Sequence, residues 1–211
     1  MDNLYVHIGC GLKAPSTWIN FDASPRVQIS GLPLIGIPFR RFRSPFPDNV
    51  RYGDITKGLD IPDNSCRAIY ASHVIEHLSL TDARKALKNI YNLLQPEGLF
   101  RFVVPDLERL ARDYLSRQDA TACYDFMTHT MLGWETKPKT LAQYLMNWRG
   151  NSKHLWMWDY RALCAELSQF DFVEMRRATI GDSGNRNFAD VEEEDRWKNC
   201  LGIECRKTSN A

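Results

Sequence analysis

A glycine-rich turn and the carboxylate that follows it are the first residues of this chain that could do chemistry. The apolar run Leu4–Ile8 leads straight into Gly9-Cys10-Gly11, and a second apolar run at 18–21 ends at Asp22. Glycine lets the backbone approach a ligand closely, and a carboxylate at the end of the next strand accepts hydrogen bonds from ribose hydroxyls. The pattern predicts a nucleoside pocket at Gly9, Gly11 and Asp22.

A second group of residues could move protons. His73, Glu76 and His77 follow one another closely, and His154 lies far downstream. Imidazole suits general base chemistry because its ordinary pKa is near neutral. His73, beside a predicted strand end, is the first candidate base and His154 the second. The alternatives are a positioning contact for His73, a packing role for His77 and a structural hydrogen bond for His154.

The same histidines do not predict a metal site. His73-x-x-x-His77 with Glu76 lacks the H-E-x-x-H order of zinc hydrolases, and no third ligand lies nearby in sequence. The six cysteines form no C-x-x-C pair and no Cys/His zinc spacing. We therefore expect no bound metal.

Composition excludes several classes of protein. The 211 residues carry a formal charge of +1, so charge favours neither nucleic acid nor a membrane surface as partner. The longest apolar stretch, 32–39, is short and broken by prolines, which argues against a membrane span. The first residues lack the features of a signal peptide. A cytoplasmic protein with reduced thiols is the expectation.

The elements that must position these residues alternate along the chain. Apolar runs predict strands at 4–8, 18–21, 50–52, 66–71 and 99–104, and a terminal strand pair at 172–180 and 201–207. A helical apolar stripe at 83–94 follows Ser79 or Thr81 as the cap, Pro105 is placed in the first turn of another helix, and Asp159 caps a last one. Alternation of this kind predicts an α/β fold with a parallel sheet whose strand ends converge on one crevice.

Spacing argues against a nicotinamide enzyme. Only seven residues separate Gly11 from the second strand, and Pro15 is among them, so a full crossover helix does not fit. Asp22 also lies too close to the glycines in the sequence, because the dinucleotide fingerprint places its acid about 20 residues further on.

Three segments outside this core carry separate expectations. Residues 23–48 are rich in proline and glycine and predict an irregular loop or short helix. Arg40, Arg41 and Arg43 within it could recognise a phosphate or a nucleotide-linked substrate. Residues 119–158 are aromatic and predict a helical cap on the acceptor side. The polar segment 181–198 is interpreted as a mobile loop.

The ordered motifs of the chain resemble those of type 11 class I S-adenosylmethionine-dependent methyltransferases. The resemblance runs in register over about 4–116, and it is most similar to compact members associated with polysaccharide and cell-surface sugar biosynthesis. The motifs are HIGCG at 7–11, WINFD at 18–22, LDIPDNS at 59–65, YASHVIEHL at 70–78, LLQPEG at 93–98, VVPDLE at 103–108 and, more weakly, HLWMWDY at 154–160.

The resemblance implies a Rossmann-like, seven-stranded, mostly parallel sheet with its last strand antiparallel, helices on both faces, and a small helical cap after the fifth strand. It implies one domain over 1–211, with a cofactor-binding core at 1–118, the aromatic cap at 119–158 and a C-terminal helix and strand pair at 159–211. It also implies S-adenosylmethionine as cofactor.

The resemblance assigns roles to individual residues in that cofactor site. Gly9 and Gly11 would line the methionine part, together with the other members of their motif, His7 and Cys10. Asp22 would hold the ribose, Asp54 with Ile55 would meet the adenine, and Ser72 with His73 would flank the sulfonium. The family's usual third glycine is replaced by Lys13, and Glu97 stands where glycine is common.

The expected activity is methyl transfer to oxygen on a small or sugar-linked acceptor, with His73, His77 and His154 as candidate catalytic residues. The alternative is a catalytically silent protein of the same fold that acts by binding partners.

Overall fold

A single mixed sheet of seven strands organises the molecule. The computed structural model describes residues 3–30, 45–133, 140 and 153–209. The strands are β1 Leu4–Ile8, β2 Ile19–Asp22, β3 Val50–Tyr52, β4 Cys66–Ser72, β5 Leu94–Pro105, β6 Phe172–Ala178 and β7 Cys200–Lys207.

Strand order and direction confirm the predicted sheet. The order is β3-β2-β1-β4-β5-β7-β6. Strands β1 to β5 pair in parallel, whereas β7 is antiparallel to both β5 and β6. The carboxyl ends of five parallel strands therefore meet at one edge of the sheet, where ligands bind in open α/β folds.

Short helices connect the strands. They are α1 Pro25–Ser30, α2 Leu80–Leu93, α3 Leu107–Ser116, α4 Ala122–His129, α5 Tyr160–Ser168 and α6 Glu194–Trp197, with 3-10 helices at Ile75–His77 and Arg186–Asp190.

Side-chain caps fix the beginnings of three helices. The Ser79 hydroxyl accepts the Asp82 N–H at α2, and Asp159 accepts the Ala162 N–H at α5, which confirms two predicted caps. The expectation for Pro105 is wrong in detail. Pro105 ends β5, and the next residue, Asp106, caps α3 by accepting the Arg109 N–H.

The prediction of helices on both faces of the sheet is only partly right. One face is covered by α2 and α5, whose apolar side chains pack on β4 and β5. On the other face residues 9–18, all of them described, form turns instead of a crossover helix. The segment between β6 and β7 covers this face with Phe188, Val191 and Trp197, all buried. Because these side chains belong to the core, interpreting 181–198 as a mobile loop was wrong.

A buried arginine ties that segment to the sheet. Arg101 in β5 is 0% exposed. Its guanidinium donates to Glu192 (2.6 Å), Asp182 (2.9 Å) and Glu204 (3.2 Å), and to the Thr179 carbonyl. It also lies 4.6 Å from the centre of the Trp197 ring. The core of this face is therefore both aromatic and ionic.

The predicted aromatic cap is described only in part. Its first helix is α4, and the run 153–158 lies beside the end of β5, where Asp106 pairs with Trp158. Trp134, Tyr144 and Trp148 fall outside the described residues, as do Arg40, Arg41 and Arg43. All six cysteines are free. Among the described helices, none has the length and apolar character needed to cross a membrane.

Candidate active site at the carboxyl ends of the strands

The glycine turn after β1 has the backbone shape that its sequence predicts. Gly9 and Gly11 have φ values of +64° and +55°, in the left-handed region that favours glycine. A Cβ added to Gly9 would lie 2.4 Å from Cγ2 of Val74, whereas one added to Gly11 would meet none of the described residues within 4 Å. Within the described part of the chain, the turn is therefore packed beneath Gly9 and open at Gly11.

Asp22 is held against this turn by two main-chain hydrogen bonds. Its Oδ2 accepts the Gly11 N–H at 3.0 Å, and its Oδ1 accepts the Ser24 N–H at 2.8 Å. The Cys10 N–H also donates to the Phe21 carbonyl. A carboxylate offers about four acceptor positions, so each oxygen retains capacity for a further donor. The sequence-predicted trio of Gly9, Gly11 and Asp22 is thus brought together.

Asp54 and Ile55 lie past the end of β3, as predicted, with local partners of their own. Asp54 accepts both the N–H and the hydroxyl of Thr56 and pairs with Lys57 at 3.0 Å. These hydrogen bonds outweigh the effect of burial and hold the pKa of Asp54 below its usual value. The Ile55 side chain is 4% exposed and packs in the core.

His7 and Cys10, both assigned to the cofactor site by the resemblance, have buried side chains. His7 is 2% exposed, and its ring packs against Trp18 and Tyr70. Burial, with the charge of Arg196, lowers the pKa of His7 to about 3. Burial raises the pKa of the Cys10 thiol to about 12. Both side chains therefore act in packing, and direct contact of the His7 ring with a ligand in the crevice does not fit this geometry.

Arg196, which the sequence analysis missed, covers the end of β4. Its guanidinium donates to the hydroxyl and to the carbonyl of Ser72, each at 2.8 Å. Its own carbonyl accepts from Nε2 of His73 at 2.9 Å. The two residues expected to flank a sulfonium are therefore bound by one residue from the segment before β7.

His73 does not have the geometry of a general base. It has a φ of +53°, and its Nδ1 faces Oε1 of Glu76 at 2.9 Å. Burial lowers the pKa of His73, but hydrogen bonds to Cys200, Glu76 and the Arg196 carbonyl outweigh it and raise the value to about 10. An imidazolium that donates from both nitrogens has no lone pair for an incoming proton.

His77 and His154 meet beside Glu76. Their ring centres lie 5.0 Å apart. Nδ1 of His77 is 3.0 Å from the Lys153 carbonyl, and Nδ1 of His154 is 2.9 Å from the Thr130 carbonyl. A carbonyl only accepts, so each Nδ1 carries a proton, and in the neutral form of each ring Nε2 has the lone pair. Burial lowers the pKa of His154 below its ordinary value, which favours the neutral ring.

A cavity of about 300 Å³ opens beside these histidines, at the carboxyl ends of β4 and β5. Its polar lining includes His73, Asp106, His129, His154, Lys198 and Cys200. In strand order, the glycine turn follows β1 and the cavity lies at β4 and β5, so the two are neighbouring parts of one edge of the sheet.

Comparisons with known proteins agree with this arrangement. Residues 6–102, a little under half of the chain, match the sequence model of a family described as a methyltransferase domain. The match covers β1 to β4, the glycine turn and Asp22, and supports the methyltransferase family for this part of the chain. No curated protein sequence matches the chain significantly.

Solved structures share the fold at low identity. A SAM-dependent methyltransferase of Thermotoga maritima, described as a possible histamine N-methyltransferase, has a TM-score of 0.53 and 15% identity, and the alignment covers 99% of this chain and 84% of that one. One from Archaeoglobus fulgidus has a TM-score of 0.51 and 16% identity, covering 98% and 86%. A complex of the Haloferax volcanii Trm112 methyltransferase activator with a methyltransferase has a TM-score of 0.50 and 13% identity, covering 98% and 83%.

Proposed function

We propose that this protein is an S-adenosylmethionine-dependent methyltransferase that transfers a methyl group to an oxygen of a small or sugar-linked acceptor. The observation that carries the proposal is the position of Asp22, whose carboxylate is fixed by the Gly11 N–H at the mouth of the open glycine turn. The methyltransferase-domain match over 6–102 supports S-adenosylmethionine as the cofactor. The oxygen, the sugar-linked acceptor and a cytoplasmic location rest on the resemblance of the motifs alone.

The described residues leave room for this cofactor at one end of the crevice, whereas an arginine side chain covers the other end. Around Gly11 and Asp22 the residues that the structure describes leave open space and spare acceptor capacity, as a ribose and the methionine part require. At Ser72 and His73 the guanidinium of Arg196 covers the strand end. Binding at that end therefore requires the Arg196 side chain to move, or to contact the ligand itself.

The chain's contribution to methyl transfer is mainly alignment. When bound, S-adenosylmethionine supplies a methyl carbon already activated by its sulfonium. The protein has to hold the acceptor oxygen in line with that carbon, and such alignment can contribute roughly 7–11 kcal/mol. Asp22 and the glycine turn hold the cofactor on one side of the transferred methyl group, and the cavity lined by His154 accommodates the acceptor on the other side.

A hydroxyl acceptor must also lose its proton. A positioned base accelerates such a step by about 10²–10⁴-fold. His73 cannot serve, because both of its nitrogens donate. Of the two remaining candidates, His154 lines the cavity, and the His77 ring centre lies 5.0 Å from that of His154, so we assign activation of the acceptor to their cluster with Glu76.

Calorimetric titration with S-adenosylmethionine and its demethylated product tests the proposal. Wild type should bind at micromolar concentration, and Asp22→Ala should bind roughly 10- to 100-fold more weakly, since hydrogen bonds to a charged group contribute about 1.5–3 kcal/mol. Asp63→Ala is the control, because Asp63 is exposed before β4, at the opposite edge of the sheet. Equal affinities for the two variants would refute the assignment of the ribose to Asp22.

Arg196 favours a second candidate function, a silent protein of the same fold that binds partners. Its hydrogen bonds to Ser72 hold shut the end of the crevice where the methyl group would lie. Under this alternative, wild type binds neither ligand in the titration, and Arg196→Ala gains affinity for both. Binding by wild type, with no such gain in the variant, rejects it.

A further inference from the structure

We propose that Glu76, His77 and His154 form a binding site for one divalent transition-metal ion. Each residue offers one ligand atom, and these three atoms lie within 4.8 Å of one another. Two imidazole nitrogens with one carboxylate oxygen form a donor set that proteins use for zinc and related first-row ions. The three residues come from the 3-10 helix after β4 and from the run before α5.

A buried carboxylate oxygen without a partner in the described part of the chain points to a cation ligand. Glu76 is 0% exposed, and its Oε1 binds His73. Its other oxygen, Oε2, is buried and has no hydrogen-bond partner among the residues that the structure describes. A buried acceptor of a charged group that lacks a hydrogen bond costs more free energy than a neutral one. A cation between Glu76 and the two rings would remove that cost.

The rings are already oriented as metal ligands are. His77 and His154 each direct Nδ1–H to a main-chain carbonyl, of Lys153 and Thr130 respectively. Metal-ligating histidines almost always fix their rings by such a hydrogen bond from the other nitrogen. The geometry therefore presents two Nε2 lone pairs, each held by the backbone rather than by a flexible side chain.

The main chain also holds the distant ligand in place. The Glu76 carbonyl accepts the N–H groups of both Leu155 (2.8 Å) and Trp156 (3.2 Å). These two hydrogen bonds join the run after His154 to the 3-10 helix that carries Glu76 and His77. We expected no metal site because no third ligand lies nearby in the sequence. His154 supplies that ligand from far downstream, where the tertiary structure brings it next to Glu76 and His77.

The donor set favours zinc over magnesium. Magnesium prefers six oxygen ligands and keeps several waters, whereas zinc with three protein ligands is typically tetrahedral with one open position. Zinc bonds of about 2.0–2.1 Å place tetrahedral ligand atoms about 3.3 Å apart. The three candidate atoms lie within 4.8 Å of one another, so the side chains must draw together when the ion binds.

His154 also lines the 300 Å³ cavity, so an ion at this site would stand at the cavity wall. With the lone pairs of both rings bound to the ion, the cluster would activate the acceptor through the cation, which would polarise the acceptor oxygen and lower the pKa of its hydroxyl, and not through a free imidazole. This role rests on the proposed methyltransferase function, but metal binding itself does not depend on it.

The test is a zinc titration of the untagged protein, first stripped with EDTA and assayed without S-adenosylmethionine. Wild type should bind one Zn²⁺ per chain, with a higher melting temperature in zinc than in EDTA. His154→Ala and Glu76→Gln should each weaken binding by about 100-fold or more, since loss of an outer partner alone costs 10–100-fold. Glu76→Gln keeps the side-chain shape, so its melting curve in EDTA reports whether the fold survives.

Two control variants test whether zinc binds at this cluster or at neighbouring side chains. His129 lines the same cavity, and Cys200 lies 3.8 Å from His73, but neither belongs to the cluster. His129→Ala and Cys200→Ser should bind zinc like wild type. Failure of wild type to take up one ion, or unchanged affinity in His154→Ala and Glu76→Gln, would overturn the metal site. Because S-adenosylmethionine is absent, neither result bears on the proposed activity.

Discussion

Replacing Arg101 by methionine should lower the free energy of unfolding by about 3–5 kcal/mol, the usual cost of removing one partner of a buried ion pair. The guanidinium is 0% exposed and donates to Glu192 and Glu204, which are themselves nearly buried. Without it, the buried Glu192 loses the cation that it faces, whereas Glu204 keeps its ion pair with Arg176 at 2.7 Å. Chemical denaturation monitored by circular dichroism measures the loss directly.

Arg84 provides a matched control for that variant. It also binds a carboxylate with two hydrogen bonds, to Glu166 at 2.8 and 2.7 Å, but its side chain is 45% exposed. Arg84→Met should cost no more than about 1 kcal/mol, as for other exposed ion pairs. Similar losses in the two variants would show that burial of the Arg101 cluster does not determine its contribution.

Gly9→Ala should destabilise the protein by about 2–5 kcal/mol. Part of this cost arises because a side chain at φ +64° is strained, at about 1–2 kcal/mol. The rest, about 1–3 kcal/mol, comes from overpacking, since the new Cβ would lie 2.4 Å from Cγ2 of Val74. The same denaturation assay reports the sum.

Two further variants separate the two contributions. Gly11→Ala pays only the backbone cost, because its Cβ would meet nothing within 4 Å, so it should lose about 1–2 kcal/mol. In the Val74→Ala background, Gly9→Ala should lose less than it does in wild type, since the clashing methyl group is gone. If Gly9→Ala costs the same in both backgrounds, the contact with Val74 is not the cause.

The sheet could be predicted from the sequence because its signals are local. Every strand lies where an apolar run predicts it, with shifts only at the ends. The largest shift is at β5, which begins at Leu94 although its apolar run begins at Leu99. Helix α2 passes directly into this strand, so no turn residue marks the boundary.

The covering of the second face could not be predicted, since it depends on single side chains in a polar segment. Phe188, Val191 and Trp197 are spaced over short 3-10 and helical turns and follow no helical or strand period. Their burial depends on a gap in the opposite chain segment, where 9–18 has no helix to cover the sheet. A polar segment is interpreted as a solvated loop because the residues that it contacts are far away in the sequence. The hydrogen bond between Thr17 and Asp190, for example, joins residues about 170 positions apart.

The candidate site, like the fold, was predictable where adjacent strands determine it and unpredictable where distant tertiary contacts do. Gly9, Gly11 and Asp22 come together because adjacent strands place them at one edge. Arg196 and the pairing of His77 with His154 depend on tertiary contacts that no local pattern encodes. Local sequence patterns therefore predict which residues meet at the proposed cofactor side, whereas the residues of the proposed acceptor side come together only through tertiary contacts.

The position of β7 between β5 and β6 has a consequence for synthesis of the protein. Among the described strands, β6 pairs with β7 alone, and β7 follows it in the chain. While the nascent chain lacks β7, the hydrophobic edge of β5 is unpaired, and such edges promote aggregation. The ribosome adds about 5–20 residues per second, so this edge stays open for several seconds. Protection by a chaperone during this interval should increase the yield of folded protein.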